Sequence, residues 1–353
     1  MKIAIMGFGV VGSGVWKVIE SGNDSIPKRA GEPIEVKRIL DLRDFPDFSN
    51  QELLTKSFDD IVNDNEIEVV CEVMGGLKPA YEYTKQLLSA GKSVVTSNKE
   101  LVAEHGTELL QLAAKTGVKY MFEASVGGGI PIIRPINACL AANEITDVVG
   151  ILNGTTNYIL TRMIKDNQSF EEALKGAQAL GYAESDPSAD VEGKDTCRKI
   201  AILASLAFER FVDSNEIPTE GITKITLDDV AKAEAQGKVI KLVGMASKVG
   251  DKVFAKVCPV MLDKNHSLAG VEDVFNGVLL RGNNVGDVMF YGRGAGDLPT
   301  ASAVVADVID VTRNKTSPMP QLWREGKTAE VLREIPAEVL AKLEENGVTV
   351  KWD

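Results

Sequence analysis

The stretch that most constrains this chain lies at its start. Ile3-Ala4-Ile5-Met6 is a short apolar strand that runs directly into Gly7-Phe8-Gly9-Val10-Val11-Gly12, and a helical stretch, 11–20, follows at once. The first glycine permits a tight turn, the second lets backbone N–H groups approach a pyrophosphate, and the third lets helix and strand pack closely. The helix N-terminus adds a partial positive charge where phosphates would lie. A glycine-rich turn with no ligand uses the same letters, but the strand–turn–helix context favours the dinucleotide reading. Gly7, Phe8, Gly9, Val10, Val11 and Gly12 are therefore expected to line a dinucleotide.

The rest of the first third repeats the theme. Residues 34–40, 67–73, 92–96 and 118–123 read as further strands, with amphipathic stretches at 79–90 and 101–116 between them. Gly91 and Gly117 stand where helix C-caps would. Strand and helix in alternation predict a parallel sheet. The texture changes near Pro131. A helix over 131–141, a strand over 145–152 and two more helices are expected, the second opened by the capping box Ser169-Phe170-Glu171-Glu172. Residues 253–261 and 278–291 read as later strands, and 299–311 as a buried helix. The tail, 328–353, is charged and in part helical by pattern. The fold class expected is α/β: a Rossmann-type doubly wound parallel sheet plus an α+β domain.

Composition excludes other classes. At 353 residues the chain has room for two domains and a large core. A net charge of −12 argues against a nucleic-acid backbone as partner. No apolar run approaches the roughly 20 residues of a membrane helix, and the N-terminus does not read as a signal peptide. Cys71, Cys139, Cys197 and Cys258 are too scattered for a zinc knot or a disulfide framework, which fits a reducing cytoplasm.

Several residues carry chemistry by position. Asp41 ends the second strand, where a carboxylate can take both hydroxyls of an adenosine ribose; Arg38 and Arg43 nearby suit a 2′-phosphate instead, so NAD and NADP both remain open. Ser97-Asn98-Lys99 follows the fourth strand at the ligand-binding edge of such a sheet. Lys99 is a candidate there, though an exposed lysine opening a helix has the same spacing. Gly181 to Asp186, then Asp190, Glu192, Asp195 and Lys199, concentrate acids that repel one another unless a cation compensates. Asp195 and Lys199 share one helix face ahead of an apolar run, which suits a general acid/base; a surface salt bridge has the same pattern. Glu123 with the Gly127-Gly128-Gly129 carbonyls can cage a hard cation or serve as a hinge. Asn153-Gly154-Thr155-Thr156-Asn157 ends a strand and opens a helix, and its hydroxyl and amide groups, Thr155 among them, suit a small polar substrate or an N-cap.

Taken in order, these segments resemble homoserine dehydrogenase. The matching stretches are GFGVVGSGV (7–15), SNKE (97–100), EASVGGGIPII (123–133), GILNGTTNYIL (150–160), LGYAESDPSADVEGKD (180–195) with Lys199, and GRGAGDLPTASAVVADV (292–308). The resemblance implies reversible NAD(P)-dependent oxidation of L-homoserine to L-aspartate 4-semialdehyde, on the route to threonine and methionine. It implies Lys199 as proton donor and acceptor, Lys99 assisting, and Glu184 and Asp195 holding substrate, with Asp190 and Thr155 beside them. Gly7 to Gly12, Asp41, Ser97, Lys99 and Gly294 would meet the dinucleotide. Glu123, with the carbonyls of Val126, Gly128 and Ile130, would hold a monovalent cation of the sodium type.

The resemblance also implies residues 1–130 plus about 299–353 as the dinucleotide-binding domain. Residues 131–298 would form a catalytic domain whose sheet pairs two copies into a homodimer. The roughly 35 residues beyond 318 are too few for a small effector domain, which puts feedback control through one in doubt. Two rival readings use some of the same residues. A phosphorylating semialdehyde dehydrogenase would need Cys139 as nucleophile with His105 or His266 as base, whereas the pattern places Cys139 in a buried helix. A non-catalytic dinucleotide sensor would keep the glycine loop and have no use for Lys199.

Overall fold

Short β-branched strands without polar alternation must be buried on both faces, and the first part of the chain supplies that burial. In chain order it runs β1 (Lys2–Met6), α1 (Val10–Ser21), α2 (Ile26–Ala30), β2 (Glu35–Leu40), β3 (Leu54–Thr55) and α3 (Asp59–Val62). It continues with β4 (Ile67–Glu72), α4 (Ala80–Ser89), β5 (Ser93–Thr96), α5 (Lys99–Thr116) and β6 (Tyr120–Met121). Next come β7 (Ile145–Ile151), α6 (Gly154–Asp166), α7 (Phe170–Ala179), α8 (Ser188–Val191), α9 (Lys194–Ala207) and α10 (Leu227–Ala235). Then β8 (Lys238–Val249), β9 (Lys252–Asp263), β10 (Phe275–Gly282), β11 (Gly286–Arg293), α11 (Asp297–Arg313), β12 (Val331–Leu332), α12 (Ala337–Glu345) and β13 (Val348–Thr349) follow. This computed structural model describes residues 1–318, 322–323 and 328–350. They fall into two units: Met1–Ile133 with the described part of Ala295–Glu325, and Arg134–Gly294 with the described part of Gly326–Asp353.

The first unit is a six-stranded sheet in the order β3-β2-β1-β4-β5-β6, every pair parallel. The strand order reverses between β1 and β4, which opens a crevice at the strands' carboxyl ends. Ile3, Ile5, Ile39, Val69 and Val95 form the core with Val304 and Val308 of α11. Helix α11 lies against α1 at a close approach. A Cβ added at Gly14 would sit 2.9 Å from the Asp297 carbonyl oxygen and 3.0 Å from Ala301 Cβ.

The second unit is a largely antiparallel sheet in the order β11-β10-β7-β8-β9-β12, with β13 also on β9. Helices α6, α9 and α10 pack on it. Val339 and Leu343 of α12 are buried with Val243, Met245, Phe254 and Leu279. Gly244 lets α9 settle onto the sheet, since a Cβ there would lie 2.9 Å from Ile200 Cβ.

Four expectations are corrected. The strand over 118–123 shortens to Tyr120–Met121, because the Glu123 N–H turns away to Asp307 Oδ2 at 2.8 Å and a 3-10 turn begins. The helix over 131–141 reduces to one wide turn, Pro135–Cys139, where Pro135 has no N–H to continue a ladder. Cys139 is exposed there, not buried. The tail does not join the dinucleotide unit: β12 and β13 pair with β9, and α12 fills the second unit's core. The Gly14 contact makes an expectation of its own. Gly14→Val should lower unfolding stability by about 1–3 kcal/mol through overpacking between α1 and α11, read as a lower denaturation midpoint.

Candidate active site

The crevice of the first unit is shaped by glycine. Gly7 has φ +94°, and a Cβ on Gly12 would lie 1.9 Å from the Gly7 carbonyl oxygen. Only bare backbone fits at this crossing of β1 and α1, and that leaves the amides of residues 8–12 beside the helix N-terminus. The donor set and the close approach fit a dinucleotide pyrophosphate. Phe8 N donates to Asp41 Oδ2 at 2.7 Å, so the carboxylate that ends β2 also fixes the loop. Arg43 meets Asp41 through its backbone N (3.0 Å), Nε (3.0 Å) and a terminal nitrogen (2.8 Å). With the Arg43 guanidinium beside it, the Asp41 carboxyl is held down to about 2.

Two further features of this crevice escaped the sequence reading. Glu72, the last residue of β4, is fully buried; it accepts from Thr96 Oγ1 at 2.7 Å and Met74 N at 3.0 Å. Burial pushes its carboxyl up from the ordinary value, while those hydrogen bonds oppose the shift. The segment after it, Val73-Met74-Gly75-Gly76, lies against the glycine loop, with Val73 O and Met74 Cα 3.0 Å from a Cβ built on Gly7. A strand ending in an acid and a glycine pair at the same sheet edge was the available signal. Asn98 caps α5 by accepting from Leu101 N at 3.1 Å and donates Nδ2 to Gly76 O at 2.6 Å. Ser97 and Lys99, half-buried, flank it at the end of β5.

Glu123 is buried, and its Oε1 accepts from Ile132 N at 2.6 Å and Ile133 N at 2.8 Å. The loop between bends back on itself, with Ile130 N on Gly127 O at 2.9 Å and Gly128 at φ +57°. A carboxylate together with the carbonyls of Val126, Gly128 and Ile130 is a donor set chemically suited to a hard cation.

In the second unit, α9 begins after Gly193, which has φ +83°, and carries Asp195 and Lys199 one turn apart. Both are buried, with Lys199 Nζ 2.8 Å from Asp195 Oδ2. Lys199 Nζ also donates to the Leu152 carbonyl oxygen at 2.8 Å. An ammonium offers three N–H positions. Two are spent on these partners among the described residues, and the third position is left over.

Asn153, next to Leu152 at the end of β7, ties the cluster together. Its Nδ2 donates to Asp195 Oδ2 at 3.0 Å and to Asp190 Oδ1 at 2.7 Å, while its Oδ1 accepts from Thr156 N at 2.9 Å and caps α6. Burial and the neighbouring Asp195 charge push the Asp190 carboxyl up. Thr155 Oγ1 donates to the Tyr182 carbonyl oxygen at 2.7 Å and so anchors the 181–186 turn. Glu184 lies exposed on that turn, its carbonyl oxygen accepting from Gln178 Nε2 at 3.1 Å. Gly294 closes on Asn276, whose Nδ2 would lie 1.9 Å from an added Cβ. Sequence read Asn153 as a cap or a substrate group; its bridging of two carboxylates was invisible because Asp190 and Asp195 are 37 and 42 residues away. Among the described residues, no three His, Cys, Asp or Glu side chains gather as metal ligands.

A dinucleotide crevice and a separate lysine–carboxylate cluster define the class: an NAD(P)-dependent oxidoreductase acting on a small polar substrate. Family comparison makes it particular. Residues 7–123 match the model "Homoserine dehydrogenase, NAD binding domain", and residues 131–309 match the model "Homoserine dehydrogenase". A homoserine dehydrogenase of Bacillus subtilis is 43% identical over 321 residues, 89% of this chain and 73% of that protein. The crystal structure of a homoserine dehydrogenase from Thiobacillus denitrificans superposes with a TM-score of 0.88 at 37% identity, covering 98% of this chain and 85% of that one. A hyperthermophilic archaeal homoserine dehydrogenase mutant in complex with NADPH gives 0.75 at 29% identity, covering 88% and 98%. The chain belongs to the homoserine dehydrogenase family. Its reaction is the reversible NAD(P)-dependent interconversion of L-homoserine and L-aspartate 4-semialdehyde, a step in amino-acid biosynthesis.

Two outcomes are expected from this geometry. Gly12→Ala should abolish binding of reduced dinucleotide, followed by nicotinamide fluorescence, because its methyl group has no room against Gly7. Glu72 carries a raised carboxyl, so between its ordinary value of 4.5 and its raised folded value the folded state holds a proton that the unfolded state has released. Stability contributed by protonated Glu72 is therefore lost as pH rises through its folded value, by at most about 1.4 kcal/mol per pH unit. Glu72→Gln should remove that component, read as the difference between the two proteins' unfolding free energies against pH.

Proposed function

We propose that Lys199 is the proton donor and acceptor of homoserine dehydrogenation, with Asp195 and Asn153 holding it in place. The observation that carries this reading is the buried Lys199 ammonium, fixed by Asp195 and the Leu152 carbonyl with one N–H position left. In reduction the Lys199 ammonium gives the proton at that position to the carbonyl oxygen; in oxidation the neutral amine, with its lone pair at the same position, takes the proton of the substrate hydroxyl and becomes the ammonium. Bound NAD(P) supplies the hydride acceptor for the carbon bearing that hydroxyl. Lys99 assists at the hydroxyl. Glu184 and Asp190 recognise the substrate ammonium group, and Thr155 sets the turn that presents Glu184.

The loop of residues 7–12 holds the pyrophosphate through the amides of residues 9–12, with the Phe8 amide kept on Asp41, and Ser97, Lys99 and Gly294 line the remainder of the dinucleotide. Asp41 and Arg43 stand where the adenosine ribose is read. The guanidinium exposed beside Asp41 favours the 2′-phosphate of NADP, and the archaeal relative in complex with NADPH is consistent with that choice. Glu123 and the carbonyls of Val126, Gly128 and Ile130 are assigned to a monovalent cation. A homodimer in the cytoplasm completes the reading.

Lys199→Ala should lower kcat for L-homoserine oxidation by at least about 10³-fold, within the range spanned by general acid–base catalysis. The dissociation constant for the dinucleotide should stay within about twofold. Turnover unchanged in that variant would overturn the assignment. Arg43→Ala should raise KM for NADP far more than KM for NAD, and equal changes would return the preference to Asp41 alone.

A further inference from the structure

Lys241 of β8 is buried, and the chemistry described above makes no use of it. Among the described residues its ammonium meets neutral oxygens: Nζ donates to Asn157 Oδ1 at 3.2 Å and to the Val271 carbonyl oxygen at 2.5 Å. The acids whose charge reaches it, Glu272 and Asp273, are paired elsewhere, with Lys165 and Arg162. Burial pulls the Lys241 ammonium down to about 8. A charge in such a place is costly to keep, and an apolar side chain of similar volume would avoid the cost. What the ammonium supplies in return is a pair of directed N–H bonds.

Those bonds fasten α6 to the turn before β10. Asn157 sends Nδ2 to the Val271 and Phe275 carbonyl oxygens at 3.2 and 3.0 Å, so lysine and amide share Val271. Further along the helix, Thr161 Oγ1 accepts from Asp273 N at 3.0 Å and donates to the Asn157 carbonyl oxygen at 2.7 Å. At the helix start, a Cβ on Gly154 would sit 2.8 Å from the Val274 carbonyl oxygen. Residues 154, 157 and 161 have the spacing of one helix stripe, and Lys241 clamps that stripe at its centre.

The clamped turn is the one that carries the support of the catalytic lysine. Asn157 N donates to the Asn153 carbonyl oxygen at 3.3 Å, and Thr156 N to Asn153 Oδ1 at 2.9 Å. Asn153 Nδ2 then meets Asp190 and Asp195, and Asp195 holds Lys199. We propose that Lys241 is a positioning residue for homoserine dehydrogenation, fixing the first turn of α6 and through it the Asn153 amide. It acts through Asn157 and needs no contact with substrate. The proposal rests on the roles given to Lys199 and Asn153.

Lys241→Met, studied in the whole protein, tests it by two readings. Hydrogen exchange, which needs no turnover, should be at least about tenfold faster at the Thr156 and Asn157 amides than in the parent. In oxidation of L-homoserine, kcat should fall at least about tenfold while KM for the dinucleotide stays within about twofold. In an Asn153→Ala background the same substitution should change kcat by less than about twofold, because the amide it positions is gone. Lys241→Gln, smaller but still an N–H donor, should lose less than Lys241→Met in both readings. Unchanged exchange, an equal kcat loss in the Asn153→Ala background, or equal losses in the two Lys241 variants would each overturn the proposal. Faster exchange with unchanged kcat would overturn it too; if Lys199→Ala also turns over normally, the role given to Lys199 falls with it.

Discussion

The structure turns on one buried ion pair. Lys199 and Asp195 are both taken out of water, and removing one partner of such a pair costs about 3–5 kcal/mol because the other charge is stranded. The cluster is tolerable only because every charge has a fixed neighbour. Leu152 gives its carbonyl oxygen to the ammonium, and Asn153 gives both amide hydrogens to carboxylates. Much of the second unit serves that arrangement: β7 delivers Leu152 and Asn153, α9 delivers the pair, and Gly244 lets α9 sit close on the sheet.

The dinucleotide unit follows a different physical rule, in which backbone rather than side chain makes the site. Gly7 and Gly12 meet so closely that a methyl group has no place, and Asp41 braces the loop from the neighbouring strand. Asp41 therefore has two partners, Phe8 N on the loop and the Arg43 guanidinium, and the ribose-reading role proposed for it would fall to the same carboxylate.

What could be read from sequence was local. The glycine loop, the parallel strands β1, β2, β4 and β5, the capping box at Ser169 and the i, i+4 pair on α9 each depend on residues a few positions apart, and the structure has them all. Long-range partnerships could not be read. Asn153 looks like an ordinary N-cap until Asp190 and Asp195 are folded against it. Strand β8 was not among the expected strands, because Gly244 and Lys241 interrupt its apolar pattern; Lys241 is nonetheless buried, donating to Asn157 Oδ1 at 3.2 Å, and desolvation lowers it to about 8. The tail's place is illegible for the same reason: α12 is a short charged helix by composition, and only the apolar sheet face of Val243, Met245, Phe254 and Leu279 tells it where to go. Glu72 was overlooked because an acid ending an apolar strand is usually solvated, whereas here Thr96 and Met74 enclose it.

The central claim is that Asn153, Asp195 and Lys199 act as one unit. A double-mutant cycle on kcat for homoserine oxidation, with Asn153→Ala made in the parent chain and in the Lys199→Ala background, tests it most directly. We expect Asn153→Ala to lower kcat substantially in the parent and to have almost no further effect once Lys199 is gone. The same fold-loss in both backgrounds would show that Asn153 acts independently of the lysine and would contradict the account.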